Sequence, residues 1–207
     1  MENRFSYYGW VKRFFDFFLS LCLFLLIWPL FLVLAVMARV KIGKNIFFFQ
    51  QRSTRNGRTF RLMKFRTMSD KRDENGQLLP DEMRVIPFGS WLRSSSLDEL
   101  PELLNILKGD MSIIGPRPLP PVYNDYYTAD EKDRFLVRGG LLPPEILYGN
   151  HTPTWDEQLA WEAEYGRKCS LSLDINIFIS TFKHLVRRGK SHYGEQFRES
   201  LLSERKK

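Results

Sequence analysis

Two adjacent carboxylates, Asp98 and Glu99, lie between two arginines, Arg93 and Arg117. This combination suits phosphoryl chemistry, because a carboxylate can attack phosphorus or hold a metal ion while guanidinium groups bind phosphate oxygens. The chain contains five Asp-Glu pairs, so the pair alone carries little information. Its surroundings are what distinguish it from the other four.

A helix is predicted to begin at the carboxylate pair. The serines at 94–96 are candidate N-caps, leucines recur at helical spacing from 97 to 107, and Gly109 provides a stop. In a structural interpretation, Ser96 and Glu99 form a capping box and Asp98 stabilises the helix dipole by about 0.3 to 1 kcal/mol. Pro101 leaves the start open, since proline fits only the first turn and Asp98 could itself be the cap.

The functional interpretation uses the same helix start. Backbone N–H groups there are expected to lower the pKa of Asp98, which keeps a carboxylate nucleophile ionised, and to attract phosphate. Asp98 and Glu99 repel each other unless a cation lies between them. Two carboxylates facing a diphosphate therefore predict Mg²⁺, which commonly binds one or two carboxylates together with phosphate oxygens. Arg117 lies between Pro116 and Pro118, and this stiff loop favours a bidentate phosphate contact.

Around these residues the chain resembles the bacterial sugar transferases, small monotopic phosphoglycosyl transferases that start surface glycans on a polyprenol phosphate. The resemblance extends over several motifs in the same order: Lys12-Arg13-Phe14-Phe15-Asp16, Phe48-Phe49-Gln50-Gln51-Arg52, Lys64-Phe65-Arg66-Thr67-Met68, Ser96-Leu97-Asp98-Glu99-Leu100-Pro101, Leu107-Lys108-Gly109-Asp110-Met111-Ser112 and Gly115-Pro116-Arg117-Pro118. It implies transfer of a sugar 1-phosphate from a UDP-sugar to undecaprenyl phosphate, with release of UMP. It also implies a location at the cytoplasmic face of the bacterial inner membrane.

The resemblance assigns roles to single residues. Asp98 would attack the sugar-bearing phosphorus and form a covalent phosphosugar intermediate, and Glu99 would hold Mg²⁺ or handle the proton. A basic pocket for the diphosphate is expected from Lys64, Arg66, Arg93, Arg117 and Arg138. Residues 138–153 depart from the family pattern, because only Arg138 and Gly140 match its Arg-Pro-Gly motif.

A membrane element is predicted upstream, in residues 1–45. The apolar run 17–38 would reach roughly 33 Å as a straight helix, which is enough to span a bilayer. Pro29 lies near its middle, and basic residues flank both ends, so neither side is marked as the translocated one. A single-pass anchor and a helix that breaks at Pro29 and returns to the same face both remain open, and the resemblance favours the re-entrant form.

The remaining sequence predicts an α+β catalytic domain over residues 46–190, mostly helical, with a β-hairpin. Strands are expected at 46–51 and 58–67 around Asn56-Gly57, and a charged loop at 69–83. A helix at 154–166 is expected to begin with a capping box of Thr154 and Glu157. An apolar stripe over 175–185 fits either an interfacial helix or a core helix, and 191–207 is expected to be a polar, basic tail.

The net charge of +7 fits nucleic acid, anionic lipid or a phosphorylated substrate. The chain lacks nucleic-acid-binding motifs, so membrane lipid is favoured over nucleic acid as a partner. Its two cysteines have no spacing typical of a disulfide or zinc site. Three functions stay open: a phosphoglycosyl transferase, a membrane-tethered adaptor and a membrane-associated nucleic-acid binder. The sugar, the glycan pathway and the oligomeric state are not predicted.

Overall fold

A computed structural model describes residues 7–149, 153–187 and 200–205. A short π-helical turn, Tyr7–Val11, leads into the long helix α1. The helices are α1 (Lys12–Lys41), α2 (Asp81–Arg84), α3 (Pro87–Ser94), α4 (Glu102–Lys108), α5 (Trp155–Lys168), α6 (Leu171–Arg187) and α7 (Leu201–Arg205). The strands are β1 (Phe47–Ser53), β2 (Thr59–Phe65), β3 (Ser112–Ile114) and β4 (Gly140–Leu142). The described chain is therefore mixed α and β and mostly helical, as predicted.

Helix α1 continues through Pro29 as one helix, so the structure does not show the predicted break into two helices. Proline fits helical backbone angles and removes one hydrogen bond, a loss that the long apolar helix tolerates. One face of α1 is buried or half-buried along its whole length. Its residues recur at spacings of three and four: Lys12, Asp16, Ser20, Phe24, Ile27, Phe31, Leu34 and Ala38.

Both ends of α1 contact the same domain. Near its start, Lys12 Nζ lies 2.6 Å from Asp174 Oδ2 on α6. Asp16 Oδ2 accepts a hydrogen bond of 2.6 Å from Ser112 Oγ on β3. Near its end, Leu34 and Ala38 are buried in a cluster with Phe65 and Leu92. The domain therefore lies alongside the helix and not beyond one end of it.

The opposite face of α1 is apolar and exposed. The span Tyr8–Lys41 is long and apolar enough to cross a membrane, and only 11% of its most apolar window is buried. Large side chains such as Leu25, Leu26, Trp28 and Val33 are exposed. This surface is far more apolar than a water-facing helix normally presents.

The predicted hairpin is confirmed. Strands β1 and β2 pair antiparallel with Arg52 opposite Phe60 and Phe48 opposite Lys64. Asn56 and Gly57 both have positive φ in the connecting turn, which explains the choice of these two residue types. Arg52, Leu62 and Lys64 consequently share one face of the hairpin.

The predicted helix start at 96–99 is wrong. The serines end the preceding helix α3: Ser94 Oγ and Ser95 Oγ donate to Trp91 O. Ser96 then adopts a left-handed conformation, with φ of 57°, and makes no side-chain cap bond. Asp98 and Glu99 lie in a 3-10 turn, Leu97–Glu99, and α4 begins only after Pro101. Proline cannot donate within the helix, which separates the turn from α4.

Helix α4 packs on β2 and ends at Gly109 as predicted, with φ of 96°. Phe60, Leu62, Leu103, Ile106 and Met111 form the core between the two elements. Asn105 adds a polar bridge, because its side chain accepts from Met63 N at 3.0 Å and donates to Arg61 O at 2.8 Å. This packing places the turn that carries Asp98 and Glu99 at the end of β2.

The capping box of Thr154 and Glu157 is confirmed at the start of α5. On α6, Ile177 is buried while Ile175, Phe178, Ile179 and Phe182 are exposed. These four side chains of the predicted apolar stripe therefore do not pack in the core. The side chain of Leu185, the last residue of the stripe, lies outside the described part of the structure.

The final described segment differs from the predicted polar tail. Leu201 on α7 is fully buried in a cluster with Leu119, Tyr127, Trp155 and Leu159. Arg205 also forms a two-point ion pair with Glu131, at 2.6 and 2.7 Å. Leu201 and Arg205 thus hold α7 against the domain, although the composition around them is polar.

Candidate active site

A cleft that is partly open to solvent lies where the hairpin, the 97–99 turn and the loop after β3 meet. Basic and acidic side chains share its surface. The lining residues are Arg52, Leu62, Lys64, Glu99, Glu102, Arg117, Pro118, Gly140 and Leu141.

Lys64 is the centre of the charged groups. Its Nζ lies 2.6 Å from Glu99 Oε1 and 3.2 Å from Glu102 Oε1. Burial lowers the pKa of Lys64, but the two carboxylates outweigh that effect and hold the pKa above its ordinary value. Lys64 is therefore a fixed positive charge at the end of β2, and its predicted role in binding phosphate stays a prediction.

Asp98 is half-buried beside this cluster. Burial raises the pKa of its carboxyl above the ordinary value, Lys64 opposes the shift, and the charge of Glu99 adds to it. The expectation that a helix N-terminus lowers this pKa is wrong, because Asp98 lies in a 3-10 turn before α4. The charge of Arg93 acts in the opposite direction and lowers the pKa of Asp98.

Arg117 lies at the mouth of the cleft and is exposed to solvent. The surrounding protein atoms lower its pKa, but nearby carboxylates, Glu99 first among them, more than offset this and raise the pKa above its ordinary value. The guanidinium group is thus permanently charged and directed to the same space as Lys64. A phosphate that enters the cleft meets both groups.

Three predicted phosphate-binding residues have other contacts. Arg66 pairs with Asp70 at 2.5 Å, and Arg93 Nε donates to Thr67 Oγ1 at 2.9 Å. Arg138 Nε donates to Gly109 O at 3.0 Å, and its guanidinium group lies 5.8 Å from the centre of the Tyr8 ring. None of the three lines the cleft over the described residues, and Arg138 instead ties the β4 segment to the end of α4.

Two charged residues of the cleft, Glu102 and Arg52, were not predicted as site residues from the sequence. Glu102 is only 4% exposed, and burial raises its pKa to about 7 in spite of the attraction of Lys64. Its position three residues after Glu99, at helical spacing, was the available signal. Arg52 faces Glu102 and Arg117, and burial, together with the charge of Arg117, lowers its pKa. Arg52 belongs to one of the motifs noted above, but nothing in its local sequence distinguishes it from the other arginines.

The predicted Mg²⁺ depends on the same carboxylates. Within the described ranges, no group of three or more His, Cys, Asp and Glu side chains is arranged to hold a metal ion. Mg²⁺ needs no such cage, because it commonly binds one or two carboxylates together with waters and substrate phosphates. Asp98 and Glu99, half-buried beside the cleft, fit that donor set. Glu99 would have to exchange part of its contact with Lys64.

Comparison with known proteins gives a consistent result. A family model described as bacterial sugar transferase matches residues 7–188. The chain is 39% identical over 178 residues to "Uncharacterized sugar transferase EpsL" of Bacillus subtilis strain 168, over 85% of this chain and 87% of that protein. It is 32% identical over 190 residues to "Exopolysaccharide production protein ExoY" of Rhizobium meliloti strain 1021, over 84% of each.

A longer relative is named for its reaction. "UDP-glucose:undecaprenyl-phosphate glucose-1-phosphate transferase" of Xanthomonas campestris pv. campestris is 35% identical over 191 residues. That match covers 86% of this chain but only 39% of the Xanthomonas protein. The chain therefore belongs to the bacterial sugar transferase family, and of the three functions that its sequence left open it is a transferase.

Proposed function

We propose that this protein transfers a sugar 1-phosphate from a UDP-sugar to undecaprenyl phosphate, with Asp98 as the nucleophile. The observation that carries the proposal is the position of the Asp98–Glu99 pair beside a cleft that contains Lys64 and Arg117. Those cations match the charge of a diphosphate. The substrates named for the Xanthomonas relative have this chemistry.

In the first step, an oxygen of the Asp98 carboxylate attacks the sugar-bearing phosphorus. A bond forms between that oxygen and phosphorus, the bond from phosphorus to the bridging oxygen breaks, and UMP leaves with the bonding electrons. Lys64 and Arg117 would stabilise the charge that develops on the phosphate oxygens. The partial burial of Asp98 favours the attack, because a poorly solvated carboxylate is a stronger nucleophile.

In the second step, a phosphate oxygen of undecaprenyl phosphate attacks the same phosphorus. The bond between phosphorus and the Asp98 oxygen breaks, and the carboxylate is regenerated. The product is a sugar linked to undecaprenyl diphosphate. Two displacements at one phosphorus let a cytosolic donor and a lipid acceptor use a single site in turn.

Glu99, with Asp98, would hold Mg²⁺ against the donor phosphates. When bound, the ion would neutralise charge on the diphosphate and on the departing UMP. Lys64 Nζ lies 2.6 Å from Glu99 Oε1 and would also donate to a phosphate oxygen of a bound donor. Glu102 Oε1, 3.2 Å from Lys64 Nζ, gives that ammonium group a second carboxylate contact that does not depend on Glu99.

The substrates require a site at the membrane surface, and α1 provides the attachment. Because both of its ends contact one domain, an upright span would place that charged domain in the bilayer, at a high energetic cost. We propose that α1 enters the membrane, bends at Pro29 and returns to the cytoplasmic face. The exposed apolar face of α6, with Phe178 and Phe182, would rest at the same surface.

The transfer reaction is tested with membranes that contain the protein, given UDP-sugars, Mg²⁺ and undecaprenyl phosphate. UMP release is expected from the wild type and is lost in Asp98→Asn, with the fold retained. Glu99→Gln should lose most of the activity. Asp73→Asn changes the same residue type in another, exposed Asp-Glu pair and serves as the control. Turnover close to the wild type in Asp98→Asn would contradict the proposal.

The topology is tested with single cysteines at Trp10 and Asn45, which flank α1, in a background where Cys22 and Cys169 are replaced. Both should resist an impermeant thiol reagent in intact cells and react after lysis. Pro29→Ala should favour a straight helix that spans the membrane. In that variant, the cysteine at position 10 should be labelled in a fraction of the protein molecules of intact cells. Labelling at Trp10 in intact cells with Pro29 present would establish a spanning anchor.

A further inference from the structure

One buried ion pair, Arg134–Glu162, binds both the backbone N–H and the backbone C=O of Arg117. Its N–H donates to Glu162 Oε1 at 3.0 Å, and its C=O accepts from Arg134 Nη2 at 2.6 Å. Glu162 is fully buried and Arg134 is 3% exposed. The two side chains bind each other at 2.6 Å.

The ion pair is itself oriented by further hydrogen bonds. Arg134 Nη1 donates to Tyr127 Oη at 2.7 Å, and Gln158 Nε2 donates to Glu162 Oε1 at 3.0 Å. Arg134 lies in the 3-10 turn Glu131–Leu136, and Glu162 lies on α5. These elements meet closely at Gly166, where a Cβ would lie 2.1 Å from Asp133 O.

The other side of the Arg117 loop is held by backbone. Gly140 N donates to Pro116 O at 2.8 Å. A Cβ at Gly139 would lie 2.6 Å from Pro118 Cγ, so only glycine permits this approach. With two prolines restricting φ as well, the loop has little freedom to move.

We infer that Arg134 and Glu162 are positioning residues for Arg117: their ion pair sets the backbone from which the Arg117 guanidinium group reaches the donor diphosphate. A buried ion pair often adds little stability compared with apolar residues, so stability alone does not account for this one. A planar, two-point contact to phosphate depends on orientation, and a displacement of about 1 Å in an active site can cost about 100-fold in rate. The inference rests on the proposed function, because it takes Arg117 to bind the donor.

A double-mutant cycle separates positioning from general stability. Its members are the wild type, Arg117→Ala, the paired replacement Arg134→Met with Glu162→Met, and the combination of all three changes. The paired replacement removes both charges together and leaves neither one buried alone. Each protein is assayed for donor and acceptor KM, for kcat, and for the Kd of UDP by calorimetry.

The paired replacement should lower kcat/KM for the donor and weaken UDP binding, each by about 10- to 100-fold. The KM of the lipid acceptor should stay within about twofold of the wild type. In the Arg117→Ala background, the same replacement should change donor kcat/KM and UDP affinity by less than about threefold, since its effect acts through Arg117. Independent, multiplying losses would overturn the inference.

Two further variants keep the test decisive. If the paired replacement does not fold, Arg134→Lys keeps the charge beside Glu162 but loses the planar group, and it should show the same dependence on Arg117. Asp133→Asn breaks an exposed ion pair with Arg167 between the same two elements, 3.1 Å in length, and should leave all constants unchanged. The paired replacement could weaken UDP binding only when Arg117 is present, while no protein releases UMP. That result would contradict the transfer reaction and still support the positioning role.

Discussion

Glu102 makes the stability of this protein depend on pH. Its pKa is raised from an ordinary 4.5 to about 7, first by burial and then by the charge of Glu99, and Lys64 opposes this only in part. The folded protein therefore binds this proton more tightly than the unfolded chain does. The stabilisation is fully present below pH 4.5 and is lost as the pH rises through about 7.

The size of the effect follows from the two pKa values. The rise of the Glu102 pKa from 4.5 to about 7 corresponds to about 3 kcal/mol of unfolding free energy. The folded protein has lost this stabilisation at pH 8. Glu102→Gln replaces the carboxyl by a neutral group of the same shape and removes the titration. The variant should match the wild type at pH 5 within about 1 kcal/mol and exceed it by about 3 kcal/mol at pH 8.

Thermal unfolding in detergent at the two pH values measures this difference. For a chain of 207 residues, about 3 kcal/mol corresponds to a gain of roughly 6 to 12 °C in Tm at pH 8. Glu74→Gln, in an exposed loop, is the matched control and should follow the wild type at both pH values. An equal change of Tm with pH in the wild type and Glu102→Gln would refute the reasoning.

Three further predictions concern the cleft and its support. Arg117→Ala should lower kcat/KM for the donor by about 10² to 10³, and Arg117→Lys by less but without full rescue, because an ammonium group lacks the planar two-point contact; steady-state UMP release measures both. Asn105→Ala should cost about 1 to 3 kcal/mol in denaturant unfolding, because Met63 N–H and Arg61 C=O lose their partner. In a pH profile of kcat/KM, the acid limb set by Asp98 should lie above the range of an ordinary aspartate.

Each of these predictions has a result that would contradict it. Equal activity in the wild type and both Arg117 variants would make that arginine a surface residue. Asn105→Ala should destabilise clearly more than Asn45→Ala, an exposed control, and equal stability would contradict the bridge. An acid limb that does not change when Asp98 becomes Glu would assign the titration to another group.

Local signals predicted much of the fold. Asn56 and Gly57 mark the hairpin because few other residues adopt positive φ, and the Thr154 to Glu157 spacing marks a helix start because both bonds form within one turn. Ser96 led to a wrong prediction of a helix start, because local spacing was again the only signal. Its spacing to Glu99 matches a capping box, but the preceding helix α3 reaches Ser94 and Pro101 delays the next one.

The site depended on contacts that no local pattern encodes. Glu102 and Arg52 enter the cleft because α4 packs on the hairpin, a pairing between segments about 40 residues apart. Arg138 lies outside the cleft because its side chain contacts Gly109 O and the ring of Tyr8. Tyr8 is more than 100 residues upstream of Arg138. Motif residues could be recognised from sequence, but the packing that aims their side chains could not.

The central claim is that Asp98 carries the phosphosugar between donor and lipid. Intact-protein mass spectrometry after incubation with UDP-sugar and Mg²⁺, without lipid, tests it most directly. The wild type should gain the mass of one phosphosugar, located on the peptide that contains Asp98, and Asp98→Asn should gain none. UMP release that always requires undecaprenyl phosphate, with no adduct at any time, would contradict a covalent intermediate and indicate direct transfer between the two substrates.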